Sequence, residues 1–434
     1  MTARPLSIGF LGAGWHPDVG GVETSCADLA RRLRERGHRV EALCLGGGAE
    51  RGPYALTDED VDGVRVRRVA YGYHDHRRLS DLVRNPRMEE IALAWCARRA
   101  LDLVHVHHAT GCGLGVIGAL RDLGTPVVAT LHDYWPLCPR GQMLRVDGVL
   151  CAAPDERTCA RCICDTWPQL ERTDPAAAGE RTRFALAQLR RADLLIAPSR
   201  AARAAYARCG LSSEGIVVCA NGIEVAALAR AFALERARAA GPRPGPRIGV
   251  LGSVQPSKGV LGLARAAVAA AVPGLSLEVH GPLAPYHGDV AHLDELRSLA
   301  ARHPCLRLHG PFAREELACV LAGLDALCVP SVWEEVFGLT AREALACGLP
   351  VAVSDVGGLA ELGEAVLRVP PGDVPAWSGA LRALAARAKE PARAHPGLRT
   401  AAEMAADHER LYRAVVRAAR SHSHSSRSAS TSQR

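Results

Sequence analysis

The chain has 434 residues, 48% of them hydrophobic, enough apolar material for two cores of ordinary size. Its 53 basic and 46 acidic residues leave a formal charge of +7 spread along the chain, so nucleic acid is not implied as a partner. A basic excess of this size suits peripheral contact with an anionic membrane, and equally a plain solvated surface. Met1 to Gly14 carries one basic residue and an apolar run too short for a signal-peptide core, and no stretch approaches the ~18–20 apolar residues of a membrane span. A cytoplasmic protein is expected. Fifteen cysteines in a reducing compartment then read as core thiols, metal ligands or reactive thiols rather than a disulfide framework.

In chain order, Ser7 to Gly12, Val40 to Leu45, Val64 to Val69, Leu103 to His107, Val127 to Leu131 and Leu194 to Pro198 are apolar runs of strand length. Helical patterns such as Val22 to Arg36 and Arg200 to Gly210 lie between several of them. Runs apolar on both faces and alternating with helices predict an α/β fold with a parallel sheet covered on both sides. Residues 237–247, ARAAGPRPGPR, concentrate proline and glycine and predict a linker after a first domain of residues 1–236. A second series follows over 248–399, with strands predicted at Ile248 to Gly252, Leu275 to Gly281, Leu306 to Gly310, Ala326 to Pro330 and Val351 to Ser354. Arg314 to Leu324 and Thr340 to Cys347 read as helices within it. Residues 400–419 predict a terminal helix, and the Ser-rich residues 420–434 have almost nothing to bury and predict a disordered tail.

In open parallel sheets, ligands sit outside the carboxyl ends of strands, where helix N-termini converge on anions. Three loops therefore matter. GAGWHPDVGGVE, residues 12–23, places Gly20 and Gly21 before an amphipathic helix, where bare backbone can approach a phosphate. Pro17 stands where a dinucleotide fingerprint needs its third glycine, which disfavours a hydride-transferring enzyme. GSVQPSKG, residues 252–259, sets Lys258 at a helix entrance, where the dipole disfavours a cation unless an anion binds. VPSVWEEVFGLTAREALACGLP, residues 329–350, holds Glu335 and Glu343 on either side of the Phe337-Gly338-Leu339 turn. Carboxylates beside an anion site make sense as acceptors for sugar or ribose hydroxyls.

The Glu335-x7-Glu343 motif with its embedded FGL, followed by EALACGLPV, resembles the signature of retaining family-4 glycosyltransferases of the GT-B fold. The double glycine, the S-x4-K-G element and the strand ending in a histidine occur in that family's order, so the resemblance covers nearly the whole chain. It implies two Rossmann-like domains facing a central cleft, with acceptor loops in the first and a nucleotide-sugar site in the second. Carried over by position, it implies that Glu335 holds a donor-sugar hydroxyl, Glu343 the ribose and Lys258 the diphosphate, with Gly20, Gly21, Phe337, Gly338 and Leu339 around the donor. His132, ending VVATLH, resembles the histidine that reaches the transferred sugar. Ser253 departs from the family, which usually has arginine there. The resemblance further implies retention without a catalytic metal, the acceptor hydroxyl passing its proton to the departing phosphate. A lipid, a glycan and a small natural product all stay open as acceptor. A nucleotide-sugar epimerase on the same fold and a non-catalytic sugar-nucleotide-binding protein are the competing readings; a glycoside hydrolase would have no use for the lysine and anion site.

After His132 comes a cysteine-rich segment, residues 136–168. Cys138, Cys151, Cys159 and Cys162 have a spacing that suits a tetrahedral structural zinc, with free thiols, disulfides or a redox role as alternatives. His105, His107 and His108 in VHVHH read as strand-end residues lining the cleft, since alternation places neighbours on opposite faces. Asp60-Val61-Asp62 matches a metal-binding D-x-D pattern by chance only.

Overall fold

Strand-length apolar runs separated by amphipathic helices condense into two sheets. The structure, a computed structural model, describes residues 4–16, 20–46, 49–71, 78–239, 241, 244–388 and 395–431. The first sheet contains β1 (Ser7–Gly12), β2 (Arg39–Leu45), β3 (Leu56–Val61), β4 (Val64–Val69), β5 (Leu103–Val106), β6 (Val127–Thr130), β7 (Leu194–Ala197) and β8 (Ile216–Val218). Their order is β3-β4-β2-β1-β5-β6-β7-β8, parallel throughout except for the β3–β4 hairpin. The second sheet is wholly parallel, with β9 (Arg247–Leu251), β10 (Ser276–His280), β11 (Leu306–Gly310), β12 (Ala326–Val329), β13 (Val351–Ser354) and β14 (Leu367–Val369) in the order β11-β10-β9-β12-β13-β14. The two-sheet α/β architecture expected from the sequence is present.

Packing follows from the sequence periods. Along β1, Ile8 and Phe10 face one layer while Leu11 joins the other. In the Gly21–Glu35 helix, Cys26, Leu29, Ala30 and Leu33 recur at helical spacing and seal the Ile8/Phe10 face. Leu29 and Leu33, almost wholly buried, each contribute roughly 1.5–3 kcal/mol of transfer free energy. Gly9 faces the opposite layer, where any side chain would meet Trp95 and Leu101.

The chain departs from the predicted boundaries in three places. The Val225–Arg238 helix, assigned by sequence to the first domain, packs its Leu228 and Phe232 into the core of the second sheet's layer. The passage between the layers therefore precedes that helix. There Ile223 pairs with Thr400, and the Ala401 amide donates to the Ile223 carbonyl at 2.9 Å, so the outgoing and returning strands of chain cross side by side. The Pro/Gly-rich residues 237–247 instead run from the end of that helix to the start of β9, with Ala240, Pro242 and Arg243 outside the described residues. Secondly, the terminal helix runs from Ala401 to Thr431, well into the residues predicted to be disordered. It returns to the first sheet, burying Met404, Ala405, Tyr412, Val415 and Val416 against the Gly21–Glu35 helix and its core. Thirdly, β3, β8 and β14 were not predicted. β3 is mostly charged and exposed, and its hairpin turn holds Asp62 and Gly63 at positive φ, with Asp60 accepting from the Gly63 amide at 2.7 Å. The Asp60–Asp62 pair thus belongs to a solvent-facing turn.

Candidate functional site

In each sheet the chain leaves the central strand in opposite directions, creating a switch point between β1 and β5 and another between β9 and β12. At the second, the loops after β9 and β12 are tied together by the Val332 amide donating to the Ser257 carbonyl at 2.8 Å. Gly259, at φ +67°, lies against the Pro330 carbonyl with no room for a side chain, which explains the Lys258-Gly259 pair. This contact delivers Lys258 Nζ to 2.5 Å from Glu335 Oε1, which also accepts from Ser331 Oγ at 2.7 Å. The ammonium lies 5.2 Å from the centre of the Trp333 ring. Both bonds fall on Oε1, and among the described residues no group bonds Oε2.

The next turn opens the Leu339–Ala346 helix through Gly338 at φ +78°, with no side-chain cap on its amides. Arg342 folds back on this turn, its guanidinium 3.6 Å from the centre of the Phe337 ring and bonded to the Phe337 and Gly338 carbonyls. Burial lowers its pKa to about 10. Glu343, one turn on, is buried and forms an ion pair with Arg314 at 2.5 Å, off the line of an ideal hydrogen bond. Burial raises the Glu343 pKa and Arg314 only partly offsets this. Ser253 is part-buried in the loop after β9, with its carbonyl engaged by Gln255.

Gly21 faces this helix opening from the first sheet: a Cβ there would sit 3.5 Å from Leu339 Cδ1. The two glycine-containing openings predicted to approach phosphate therefore meet across one cleft. The Gly21–Glu35 helix also has no side-chain cap at Gly20, but the carboxylate of its first-turn Glu23 folds back over Gly14 and Gly20. That acid already complements the helix dipole, a feature the glycine pattern did not predict.

His132, part-buried just past β6, lies beside His107, His108 and Asp133. Its Nε2 lies 3.1 Å from His107 Nδ1, with the rings stacked at 25°. Burial depresses its pKa to about 3, against the opposing pull of Asp133, so the ring is neutral at ordinary pH. His107 is likewise held neutral by burial and by His132. His108 behaves oppositely: burial alone would lower it, yet Asp133 at 2.7 Å raises it. The expectation that all three VHVHH histidines line the cleft fails for His105. It is fully buried, bonded to Thr130 at 2.7 Å and to Tyr412 of the terminal helix at 2.6 Å. A strand buried on both faces gives even its polar residues a core position.

Cys138, Cys151, Cys159 and Cys162 are free, part-buried thiols in one neighbourhood. Among the described residues, the sets of three or more ligating atoms within 4.8 Å of one another are Cys26–His107–His132 and Glu278–His280–His309. Arg314, Arg342, Asp133, Ser331 and Trp333 belong to the site and were not predicted, whereas His107 was expected at a strand end lining the cleft. Ser331 and Trp333 sit inside the quoted motif; Arg314 lies 29 positions from its partner, and no local pattern signals the pairing.

The family model for Glycosyltransferase Family 4 matches residues 19–227, and that for Glycosyl transferases group 1 matches residues 245–387. A D-inositol 3-phosphate glycosyltransferase of Kineococcus radiotolerans is 29% identical over 392 residues, covering 85% of this chain and 82% of the relative. A 2-deoxystreptamine N-acetyl-D-glucosaminyltransferase of Streptomyces fradiae is 30% identical over 374 residues, covering 83% and 82%. In fold, the chain is similar to HepE of Anabaena, solved with UDP and glucose (TM-score 0.66, 19% identity, 94% of this chain and 99% of that one). It is also similar to the sucrose-phosphate synthase of Thermosynechococcus elongatus (TM-score 0.69, 22% identity, 96% and 100%). Two parallel-sheet domains with the site at their facing strand ends define a GT-B transferase. The chain belongs to glycosyltransferase family 4 and is a glycosyltransferase.

Proposed function

We propose that the chain transfers a glycosyl group from a nucleotide-diphosphate sugar to an acceptor hydroxyl, with retention and without a catalytic metal. The carrying observation is the Lys258–Glu335–Ser331 cluster at the β9/β12 switch point, beside the uncapped Gly338 helix opening. Cleaving the sugar–phosphate bond builds negative charge on the diphosphate, and Lys258 with the helix amides supplies cationic and N–H donors for it. Ser253 brings no charge, so Lys258 exchanges part of its contact with Glu335 for the phosphate. Glu335 then offers Oε2 to a sugar hydroxyl, Glu343 accepts from the ribose, and neutral His132 holds the transferred sugar by a hydrogen bond. The acceptor hydroxyl passes its proton to the departing phosphate oxygen on the same face, so no carboxylate base is needed.

Two relatives bear names with cyclitol acceptors, an inositol phosphate and 2-deoxystreptamine. A polyhydroxylated cyclohexane is therefore the first acceptor class we assign. The test is turnover of UDP-, GDP-, ADP- and TDP-sugars with each cyclitol, followed by NMR of the new anomeric centre. Retained configuration with added EDTA supports the reading. Inversion, or turnover that requires a divalent ion, overturns it. Donor conversion without any acceptor would favour the epimerase.

A further inference from the structure

The cysteine-rich segment has a geometry that the transfer reaction does not use. Cys138 ends a tight turn in which its amide donates to the Tyr134 carbonyl at 2.7 Å and its own carbonyl accepts from Gly141 at 2.7 Å. The chain then reverses through a Leu144–Leu150 bridge, and the Cys151 amide donates to the Met143 carbonyl at 2.8 Å. Cys159 and Cys162 follow on the Glu156–Thr166 helix, three residues apart and so on one face. A turn, a hairpin end and a helix thus carry the four thiols in one neighbourhood. Cys164 is engaged elsewhere, donating to the Thr173 carbonyl at 3.7 Å.

Two further observations point to a ligand. The apolar cluster under this helix is small, comprising Leu79, Leu82, Ala160, Ile163, Leu170 and Ala178. Arg181, buried and beside Cys138 and Cys159, bonds only the carbonyls of Trp135 and Pro136; among the described residues no carboxylate pairs with it, and its Nε has no partner. Its guanidinium lies over the Trp135 ring and feels Asp133 only at longer range, and a buried cation without an ion-pair partner is costly.

We infer that Cys138, Cys151, Cys159 and Cys162 bind one structural zinc ion as thiolates, with Arg181 as the buried counter-cation of the anionic centre. Binding releases four thiol protons, and the tetrathiolate–zinc unit carries a charge of −2. No three of these sulfurs lie within 4.8 Å of one another, whereas bonds of about 2.3 Å to zinc separate sulfurs by about 3.8 Å. The ion therefore draws the hairpin and helix together. The consequence reaches the cleft, because Gln142, inside the hairpin, accepts from the Tyr286 hydroxyl at 2.5 Å and lies 3.5 Å from Gln255 of the loop carrying Lys258.

The test is metal content of the full-length chain by plasma mass spectrometry, with cobalt-substitution spectra. One zinc per chain, lost in a Cys159→Ser/Cys162→Ser variant but kept in His280→Ala/His309→Ala and Cys26→Ser, supports the site. So do the sulfur-to-cobalt charge-transfer and ligand-field bands of a tetrahedral thiolate centre in the wild type, which hold even where the cysteine variant fails to fold. Zinc-free wild-type protein that is folded, zinc that follows the histidine variants, or an intact mass showing cysteine pairs oxidised to disulfides overturns it.

Discussion

Replacing Arg314 by alanine isolates the electrostatics of the ribose-side carboxylate. Glu343 has 3% of its side-chain surface exposed and its ion pair to Arg314 is 2.5 Å long; Arg314 is 30% exposed. Breaking a fully buried pair costs about 3–5 kcal/mol, but Arg314 is partly hydrated and Glu343 escapes part of the penalty by taking up a proton. The expected loss at neutral pH is therefore about 1–3 kcal/mol. The sign with pH is distinctive. Glu343 already has a raised folded-state pKa, and losing Arg314 raises it further. An acid with a raised folded pKa is stabilising below its unfolded value and loses that contribution as pH rises through the folded value. The gap between Arg314→Ala and the wild type should thus be smallest near pH 4 and widen toward pH 7. Glu343→Gln should close most of it in the double variant. Urea denaturation at several pH values, arranged as a double-mutant cycle, measures this; a pH-independent gap, or additive single effects, would show that Arg314 does not act through Glu343.

Other changes have equally specific outcomes. Gly222 lies against the Thr400 carbonyl where the chain crosses twice between the sheets, so Gly222→Ala should cost about 1–3 kcal/mol by overpacking, and an unchanged Tm would contradict the crossing geometry. His408, buried and lowered to about 4 chiefly by burial, must stay neutral in the fold. A depressed folded pKa makes stability fall as pH drops from about 6.5 toward 4, by about 3 kcal/mol for this group, and His408→Gln should flatten that part of the stability profile. Tyr412→Phe removes the bond to His105 and should cost about 1–2 kcal/mol while leaving donor affinity unchanged, as read by denaturation and calorimetry.

Local pattern carried much of this architecture because the chemistry there is local. β1, β4, β11 and β13 lie on their predicted runs, and Glu335 and Glu343 sit either side of the turn their spacing implied. What escaped depends on partners distant in sequence. β3 is a strand because it pairs with β4 and gives Asp58 to Arg67, although almost nothing in it is buried. The Val225–Arg238 helix joins the second layer through Phe232, a choice its own composition does not encode. His105 became a core residue only because Tyr412, 307 positions away, returns to meet it. Lys258 and Glu335 were each predicted as ligand contacts, whereas their mutual bond emerges only when two loops 77 positions apart leave adjacent strands.

The most direct test of the account is isothermal titration of UDP-, GDP-, ADP- and TDP-sugars into the wild type, Lys258→Met and Glu335→Gln. One donor should bind preferentially, with Lys258→Met weakening both the sugar nucleotide and the free nucleoside diphosphate. Glu335→Gln should weaken the sugar nucleotide far more than the diphosphate. Equal affinity of all three proteins for the preferred donor would contradict the assignment of the β9/β12 cluster as the donor site.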